Sequence, residues 1–334
     1  LTRNKREYKA ICNIQHERIQ YTMKKLLAIG EALIDMIPSN TVRIMDVEGF
    51  QPKVGGAPLN VCGAYTALGG ESAMITMLGK DAFGEKIIKE MQRFHIHTEY
   101  IKQTNAANTS LAFVALDEHA NREFSFYRNM GADMLLSEKD IEESWFEDCY
   151  GLHFCSVSLG DFPMKKAHNR ALELAKRKNL LVSFDPNVRL PLFDDHEYLR
   201  RTIHEYMHFA DILKISDEEV SFIFGSDHIE EHVQYIFDSG VKLLIYTAGK
   251  DGAAAYTKYN TAYADGIEVK AVDTTGAGDG FIGCLLYHLS KDDIHASDLD
   301  GLSEQQLKSY LDMCNKFCSI SVTKEGAIAS YPSR

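Results

Sequence analysis

From Lys24 onward the chain alternates short apolar runs with longer stretches of helical spacing. The apolar runs are typical of buried strands and span Leu26–Ile29, Ala73–Leu78, Gly151–Val157, Leu180–Phe184, Ile212–Ile215 and Lys242–Thr247. The intervening stretches predict helices over Leu59–Leu68, Phe83–Phe94, Pro163–Lys178, His196–Phe209, Asp217–Phe224 and His228–Ser239. Strands that alternate with helices predict a mostly parallel sheet covered on both faces, an α/β fold of three layers.

Two stretches depart from this alternation, Pro38–Val54 and Asn108–Tyr127, where β-branched or aromatic residues are separated by polar turns. Within the second, Leu111–Leu116 and Arg122–Tyr127 flank Asp117–Asn121, which predicts a hairpin. Neither stretch fits a strand–helix–strand unit. We expect lid insertions at about residues 38–54 and 106–128 to form one small β-sheet over the strand ends.

The two ends of the chain have different patterns. Near the carboxyl end, Gly276–Leu289 and Glu304–Val322 predict two more helices, and Ser303-x-x-Gln306, like Ser216-x-x-Glu219 earlier, fits a helix capping box. Residues 1–22 carry five basic and two acidic residues without a clear period. We interpret Met23 as the natural start and residues 1–22 as an upstream extension outside the fold, with an organelle address as the alternative.

Composition excludes several classes of protein. The 334 residues are 45% hydrophobic and 25% charged, as in a globular protein, and the net charge is −12. Such an acidic chain repels nucleic acid and anionic membranes, and no apolar run approaches the roughly 18 residues of a membrane helix. The seven cysteines form no C-x-x-C pair, and Cys314 and Cys318 have no second ligand pair nearby. Together with histidines that do not cluster at metal spacing, this predicts free thiols in a cytoplasmic protein.

The run Asp273-Thr-Thr-Gly-Ala-Gly-Asp279-Gly follows an apolar stretch and opens a helix. Its glycines permit a tight turn, so the N–H groups of Gly276, Ala277 and Gly278 would point at an anion above the helix. Asp279 adds a carboxylate beside that site. A carboxylate there favours phosphoryl transfer, because it can take the proton of an attacking hydroxyl while the amides hold the phosphoryl group.

Other interpretations of this run remain. A glycine-rich turn can simply start a helix. Gly278-x-Gly280-x-x-Gly283 matches the dinucleotide fingerprint, but the residues after it predict helices only, which leaves no room for the rest of a dinucleotide-binding unit. The chain contains no G-x-x-x-x-G-K-[ST] run, which excludes a P-loop enzyme.

A second glycine cluster, Gly55-Gly56-Ala-Pro-Leu-Asn60, precedes the first helix. Paired glycines allow close approach of a ligand, and the Asn60 amide can both donate to and accept from a polyol. Asp35 follows the first predicted strand, at the sheet edge where α/β proteins bind ligands, and it could hold two vicinal hydroxyls. Each of these residues could equally be structural.

Taken together, these residues resemble the ribokinase-type (PfkB) carbohydrate kinases, and within them the fructokinase branch. The resemblance runs from Lys24 to about Pro332. Four stretches carry it besides the Asp273–Asp279 run: Val54-Gly-Gly-Ala-Pro-Leu-Asn-Val61, Phe126-Tyr-Arg-Asn129, Ala132-Asp-Met-Leu-Leu136 and Phe184-Asp-Pro-Asn-Val-Arg189. It implies a ribokinase-like kinase domain over residues 23–334 with a β-sheet lid, which in this family often forms a homodimer contact.

The resemblance also implies roles for individual residues. Asp279 would be the general base, and the amides of Gly276, Ala277 and Gly278 the anion hole. The positions that match sugar-binding or phosphate-facing residues are Asp35, Gly55, Gly56, Asn60, Arg128 and Arg189. The positions that match the nucleotide site are Ser216, Thr247, Gly249, Gly252 and Asn315.

Metal sites follow from the same resemblance. The family's N-x-x-E motif, which positions Mg²⁺ through water and phosphate, reads Ser216-Asp-Glu-Glu219 here. Glu219 matches, while Ser216 replaces the asparagine and is equally a helix cap. Asp273 and Thr275 resemble part of a monovalent-cation site, which suggests K⁺.

The sequence therefore predicts an ATP-dependent sugar kinase with Mg²⁺, most simply a fructokinase that makes fructose 6-phosphate. The alternatives are a 2-keto-3-deoxygluconate kinase or ribokinase of the same family, a non-catalytic sugar or nucleotide sensor on the same fold, and a nucleotide-dependent dehydrogenase. A sensor has no need of a base beside the anion hole, so Asp279 argues for the enzyme.

Overall fold

The computed structural model describes residues 24–40, 42–116 and 122–333. The predicted extension, residues 1–22, and the hairpin turn Asp117–Asn121 lie outside the described residues. Among the helices described, none combines the length and the apolar character needed to cross a membrane. The six cysteines that the structure describes are free thiols.

The centre of the molecule is a nine-stranded sheet with the order β13-β12-β11-β10-β9-β8-β1-β4-β5. Its strands are β1 (Lys25–Ile29), β4 (Ser72–Gly79), β5 (Ile101–Thr104), β8 (Cys149–Cys155), β9 (Leu181–Asp185), β10 (Ile212–Ser216), β11 (Leu243–Thr247), β12 (Ala253–Tyr256) and β13 (Thr261–Ala264). All neighbouring pairs are parallel except β11–β12 and β12–β13, which are antiparallel. The mostly parallel sheet predicted from the sequence is confirmed.

Helices cover both faces of this sheet. They are α1 (Ala57–Ala67), α2 (Ala82–Arg93), α3 (Pro163–Arg177), α4 (His196–Met207), α5 (Asp217–Phe224), α6 (Val233–Asp238), α7 (Ala277–Lys291) and α8 (Glu304–Ser321). One apolar core joins the sheet to α1, α7 and α8, and a second joins the opposite face to α3, α4 and α5. Successive residues of β1 enter the two cores alternately, as Leu26 and Leu27 do.

A second sheet of four strands has the order β3-β2-β6-β7. Its strands are β2 (Leu33–Pro38), β3 (Phe50–Gly55), β6 (Leu111–Leu116) and β7 (Arg122–Tyr127). The β6–β7 pair is antiparallel, and its strands have the predicted bounds. The first strand of this lid begins at Leu33, before the predicted insertion. We expected Asp35 at the end of β1. It lies instead inside lid strand β2.

Two helix capping boxes predicted from the sequence are present, whereas one predicted helix is interrupted. Ser216 and Ser303 both form the predicted capping boxes. The single helix predicted over His228–Ser239 is wrong: a 3₁₀ turn, Ile229–Glu231, is followed by α6 from Val233. The ring of His232, between the two, stacks on Phe224 with centroids 4.6 Å apart.

The sheet order determines where a ligand can bind. The chain leaves β1 for β4 on one side, whereas β8 pairs with β1 on the other, which creates a topological switch point between β1 and β8. Open α/β sheets bind ligands outside the carboxyl ends of their strands at such a point. The segments that follow β1, β8, β9 and β10 meet there, and α7 begins above them.

Candidate active site

The turn into α7 has the shape that its glycines predict. Gly276 has φ 75° and ψ 7°, and the Ala277 N–H donates to the Thr274 carbonyl oxygen at 3.2 Å, which is the pattern of a type II turn with glycine at its third position. A side chain on Gly276 would lie 2.6 Å from the Cβ atom of Ala327. The Ala277 amide donates within the turn here. Its part in an anion hole stays a prediction.

Asp279 lies in the first turn of α7, half-buried. Its Oδ2 atom accepts a hydrogen bond from Asn60 Nδ2 at 2.9 Å. A Cβ atom on Gly283 would approach Ala64 Cβ to 2.7 Å and the Val61 carbonyl oxygen to 2.8 Å, so α1 and α7 cross at close contact here. This crossing brings the two glycine motifs of the sequence together.

The second glycine motif makes room for Asp35. Gly55 pairs with Leu33 across β2 and β3, and a Cβ atom on Gly55 would lie 2.0 Å from Asp35 Oδ2. Gly56 has φ 114°, and a side chain there would approach the Glu31 carbonyl oxygen to 2.5 Å. The glycine pair therefore lets the Asp35 carboxylate and the Glu31 backbone pack against the entry to α1.

The two candidate carboxylates are held in an environment that disfavours their charge. Burial raises the pKa of Asp279 to about 6; the Asn60 hydrogen bond opposes this shift and the Asp185 charge adds to it. Burial raises the pKa of Asp35 to about 7; Arg189 opposes this shift, and the Asp279 charge adds to it. A base whose pKa lies near the working pH is suited to proton transfer.

Arg189 provides positive charge to both carboxylates. It follows the Asp185-Pro186-Asn187 turn and is exposed, with Nη1 3.0 Å from the Val188 carbonyl oxygen. Its charge lowers the pKa of both Asp35 and Asp279. An exposed guanidinium near these two groups can also meet an incoming anion.

Arg128 is buried at the base of the lid. Its Nε and Nη2 atoms lie 2.8 Å and 2.6 Å from Asp133 Oδ2, and its Nη1 atom donates to the Val157 carbonyl oxygen at 3.1 Å. Nη2 also lies 3.3 Å from Ser158 Oγ, which donates to Glu31 at 2.7 Å. The network ties the exit from β7 to the loops after β1 and β8, so Arg128 holds the lid base in this structure.

Glu219 and Ser216 cap the start of α5, and Glu219 also binds the loop after β9. The Glu219 carboxylate accepts from the Ser216 N–H at 2.9 Å and from the Val188 N–H at 2.6 Å. Carboxylate oxygens have further acceptor positions. Among the described residues no three His, Cys, Asp or Glu side chains form a metal-binding set. Because Mg²⁺ keeps several waters and takes few protein ligands, Glu219 fits a hydrated Mg²⁺ held through water.

Three of the predicted nucleotide-site residues, Thr247, Gly249 and Gly252, lie at the end of β11 and in the tight turn that follows it. Gly249 and Gly252 have φ 52° and 102°, and a Cβ atom on Gly252 would lie 2.2 Å from the Ala264 carbonyl oxygen. Thr247 ends β11. Asn315 is buried and donates to the carbonyl oxygens of Ala264 and Asp265 at 3.2 Å and 2.9 Å, so here it fixes the end of β13 against α8.

Asp273 and Thr275 lie at the other end of the run that opens α7. Asp273 Oδ1 accepts from the Thr275 N–H at 2.9 Å, and Oδ2 accepts from the Gly326 N–H at 2.8 Å. The Asp273 carboxylate therefore joins the loop before α7 to the loop after α8.

A buried ion pair beneath α7 was not predicted from the sequence. Lys214 Nζ lies 2.8 Å from Asp185 Oδ2, and both side chains are at least nine-tenths buried. The available signal was a lysine inside the apolar run Ile212–Ser216, because a lysine is rarely buried unless it is paired.

Comparison with known proteins agrees with this geometry. Residues 23–334 match the profile described as pfkB family carbohydrate kinase. The chain belongs to the pfkB family. The chain is 39% identical to probable fructokinase-5 of Arabidopsis thaliana over 310 residues, which are 92% of this chain and 94% of the relative. Membership confirms the sequence-based prediction of an ATP-dependent carbohydrate kinase.

Solved structures resemble this pfkB-family kinase over nearly all of its length. A fructokinase from Xylella fastidiosa with bound ATP superposes with a TM-score of 0.86 at 30% identity, over 93% of this chain and 96% of the other. A double mutant of a fructokinase from Vibrio cholerae, with fructose, ADP and potassium ion, superposes with a TM-score of 0.81 at 30% identity, over 94% and 96%. The predicted ribokinase-like fold is confirmed.

Proposed function

We propose that this kinase is an ATP-dependent fructokinase that transfers the γ-phosphate of ATP to the 6-hydroxyl of D-fructose. The observation that carries the proposal is Asp279, held by Asn60 at 2.9 Å in the first turn of α7. Its pKa of about 6 leaves it ionised at neutral pH and able to accept a proton. Relatives and solved structures that are named as fructokinases support fructose as the sugar.

The residues around Asp279 have complementary roles in this proposal. Asp279 Oδ1 or Oδ2 takes the proton of the sugar hydroxyl as that oxygen attacks. The first turn of α7, at Gly276 and Gly278, stabilises the negative charge of the transferring group, and Arg189 adds to that stabilisation. Asp35 and the amide of Asn60 orient the sugar hydroxyls.

Mg²⁺ bound through water at Glu219 would neutralise phosphate charge. Thr247, Gly249, Gly252 and Asn315 shape the nucleotide side of the site, and the lid excludes water that would hydrolyse ATP. We also propose that K⁺ binds at the loop of Asp273 and Thr275 and steadies the start of α7.

The test is ADP release with ATP and Mg²⁺ against a panel of acceptors: fructose, ribose, 2-keto-3-deoxygluconate, fructose 6-phosphate, tagatose and adenosine. We expect strong turnover on fructose, with fructose 6-phosphate as product. Turnover on another acceptor alone would overturn the assigned substrate but keep the phosphoryl-transfer chemistry. No turnover on any of them, with sugar still bound, would identify a sensor.

A further inference from the structure

Lys214 is a charged residue inside the central sheet. It lies in the middle of β10, opposite Ile245 of β11, and its side chain is 5% exposed. Burying an ammonium group without a partner is costly, so a lysine at such a position needs a compensating charge. Asp185, at the end of the adjacent strand β9, provides it at 2.8 Å.

The ammonium group lies directly beneath the candidate anion hole. A Cβ atom added to Gly278 would lie 3.3 Å from Lys214 Nζ, so the glycine leaves the space that the lysine occupies. Gly278 is in the first turn of α7, where helix N–H groups and the helix dipole are already positive. Two sources of positive charge therefore lie close together at the first turn of α7. Together they would stabilise an anion bound there.

The groups that face this ammonium come from several elements. The charges of three carboxylates stabilise its charged form: Asp185 of β9, Glu219 of α5 and Asp279 of α7. His153 of β8 also feels its charge, and burial lowers the pKa of His153 to about 3, so that ring is neutral. Among the described residues Asp185 is the one hydrogen-bond acceptor of Lys214. The ammonium charge also lowers the pKa of Asp279.

We propose that Lys214 is a positioning residue for phosphoryl transfer: anchored by Asp185 beneath Gly278, its ammonium group adds positive charge to the first turn of α7, which carries Asp279. The proposal rests on the proposed role of Asp279 as general base. It assigns to Asp185 the task of holding the ammonium group in place.

The charges around Asp279 give the proposal a signed prediction. Asn60 of α1, Arg189 after β9 and Lys214 of β10 favour the ionised form of Asp279, whereas Asp185 of β9 disfavours it. Asp35 of β2 and Asp279 disfavour each other's charge. Tyr331 and the Cys318 thiol also lie near enough to interact, and burial keeps both neutral by raising their pKa values. Removing Lys214 should therefore raise the pKa of Asp279, and removing Asp185 should lower it.

The experiment compares Lys214→Met and Asp185→Asn in pH profiles of kcat, on whichever sugar the unaltered enzyme phosphorylates. We expect Lys214→Met to lower kcat at least about 10-fold and to move the acid limb up by about one pH unit. Asp185→Asn should move the limb down. Lys242→Met is the matched control, because Lys242 pairs with Asp211 at the other end of the strands and should leave the limb unchanged.

A second measurement does not depend on turnover. The pH titration of ¹³C-labelled aspartate, with the Asp279 signal assigned from Asp279→Asn, gives the pKa of Asp279 directly in each variant. If the unaltered enzyme phosphorylates no sugar, the proposed function fails, and this titration still decides the role of Lys214. An Asp279 midpoint that Lys214→Met leaves in place, or that both variants move in the same direction, overturns the proposal.

Folding of the variants is controlled by the double variant Lys214→Met/Asp185→Asn. Each single variant leaves one buried charge without its partner, which is destabilising, whereas the double variant removes both charges. We expect the melting temperature of the double variant to be closer to that of the unaltered protein than the melting temperature of either single variant is. We expect its Asp279 titration midpoint to lie between the midpoints of the two single variants. If Lys214→Met fails to fold, the double variant is compared with Asp185→Asn, because the two differ only in Lys214. An Asp279 midpoint in the double variant that is no higher than in Asp185→Asn then contradicts the proposal.

Discussion

The side-chain amide of Asn60 donates to the Asp279 carboxylate at 2.9 Å, and this bond links helices that begin 220 residues apart, at Ala57 and Ala277. Asn60 lies in the first turn of α1 and Asp279 in the first turn of α7. The amino ends of both helices therefore face one place, where their dipoles favour negative charge. Asp279 is the carboxylate already held there, and a phosphate group is the second anion that such a place can take.

Asp279→Asn should remove the base and leave the shape of the site. We expect kcat to fall at least about 10²-fold, because general-base catalysis contributes about that much or more, while sugar and ATP still bind. Steady-state kinetics and calorimetric titration of both ligands check this. Near-normal turnover would remove Asp279 from the role of base.

The raised pKa values of the two carboxylates predict an acid limb in the activity. Both groups must be ionised to act as proposed, so activity is present above their folded-state pKa values and is lost as pH falls through them. With about 7 for Asp35 and about 6 for Asp279, kcat/KM for the sugar should decline between about pH 7 and pH 6. A profile that is flat down to pH 5 would contradict this assignment.

Asn60→Ala tests the hydrogen bond independently of the total activity. The bond favours the ionised form of Asp279, so its loss should raise the pKa of that group and move the acid limb of kcat to higher pH. We expect kcat to fall at every pH as well. If kcat falls and the limb stays where it was, Asn60 positions the sugar without tuning Asp279.

Arg128 and Asp133 should act as a unit in stability. Arg128→Met leaves the Asp133 carboxylate buried without its partner, which should cost about 3–5 kcal/mol of unfolding free energy. The double variant Arg128→Met/Asp133→Asn should recover part of that loss, as urea denaturation of the four proteins of the cycle would show. Additive losses would mean that the pair does not couple.

Gly55→Ala should affect the sugar more than the fold. The added methyl group would lie 2.0 Å from Asp35 Oδ2, and the end of that flexible side chain can move away. We expect KM for the sugar to rise at least about 10-fold, with a small change in melting temperature. Gly301→Ala is the matched control, because a Cβ atom there meets nothing within 4 Å. An unchanged KM would place Asp35 outside the sugar site.

Much of the architecture could be predicted from local pattern. The apolar runs correspond to strands β1, β4, β8, β9, β10 and β11 within a few residues, because a buried strand between helices leaves a recognisable run. The short antiparallel strands β12 and β13 were not predicted; β12 is Ala253-Ala-Ala-Tyr256, which has no distinctive period. The lid was assigned to the right part of the chain, but its first strand begins before the polar turns that signalled it.

The candidate site, like the fold, could be predicted from the sequence only in part. The residue types and spacing from Gly276 to Asp279 were enough to predict an anion site with a base, since backbone freedom and helix polarity are properties of a short segment. The partners of these residues were not predictable. Asn60 reaches Asp279 through the crossing of α1 and α7, and Lys214 reaches Asp185 through the order of the strands.

The sequence by itself determined most of the elements, the class of fold and the run that carries the proposed chemistry, because each depends on periodicity and composition within a short window. Only the tertiary structure decided that Arg128 is buried against Asp133 at the lid base and that a lysine lies beneath Gly278. The physical reason is that burial and charge pairing depend on which segments the sheet order makes neighbours, and local pattern carries no information about that order.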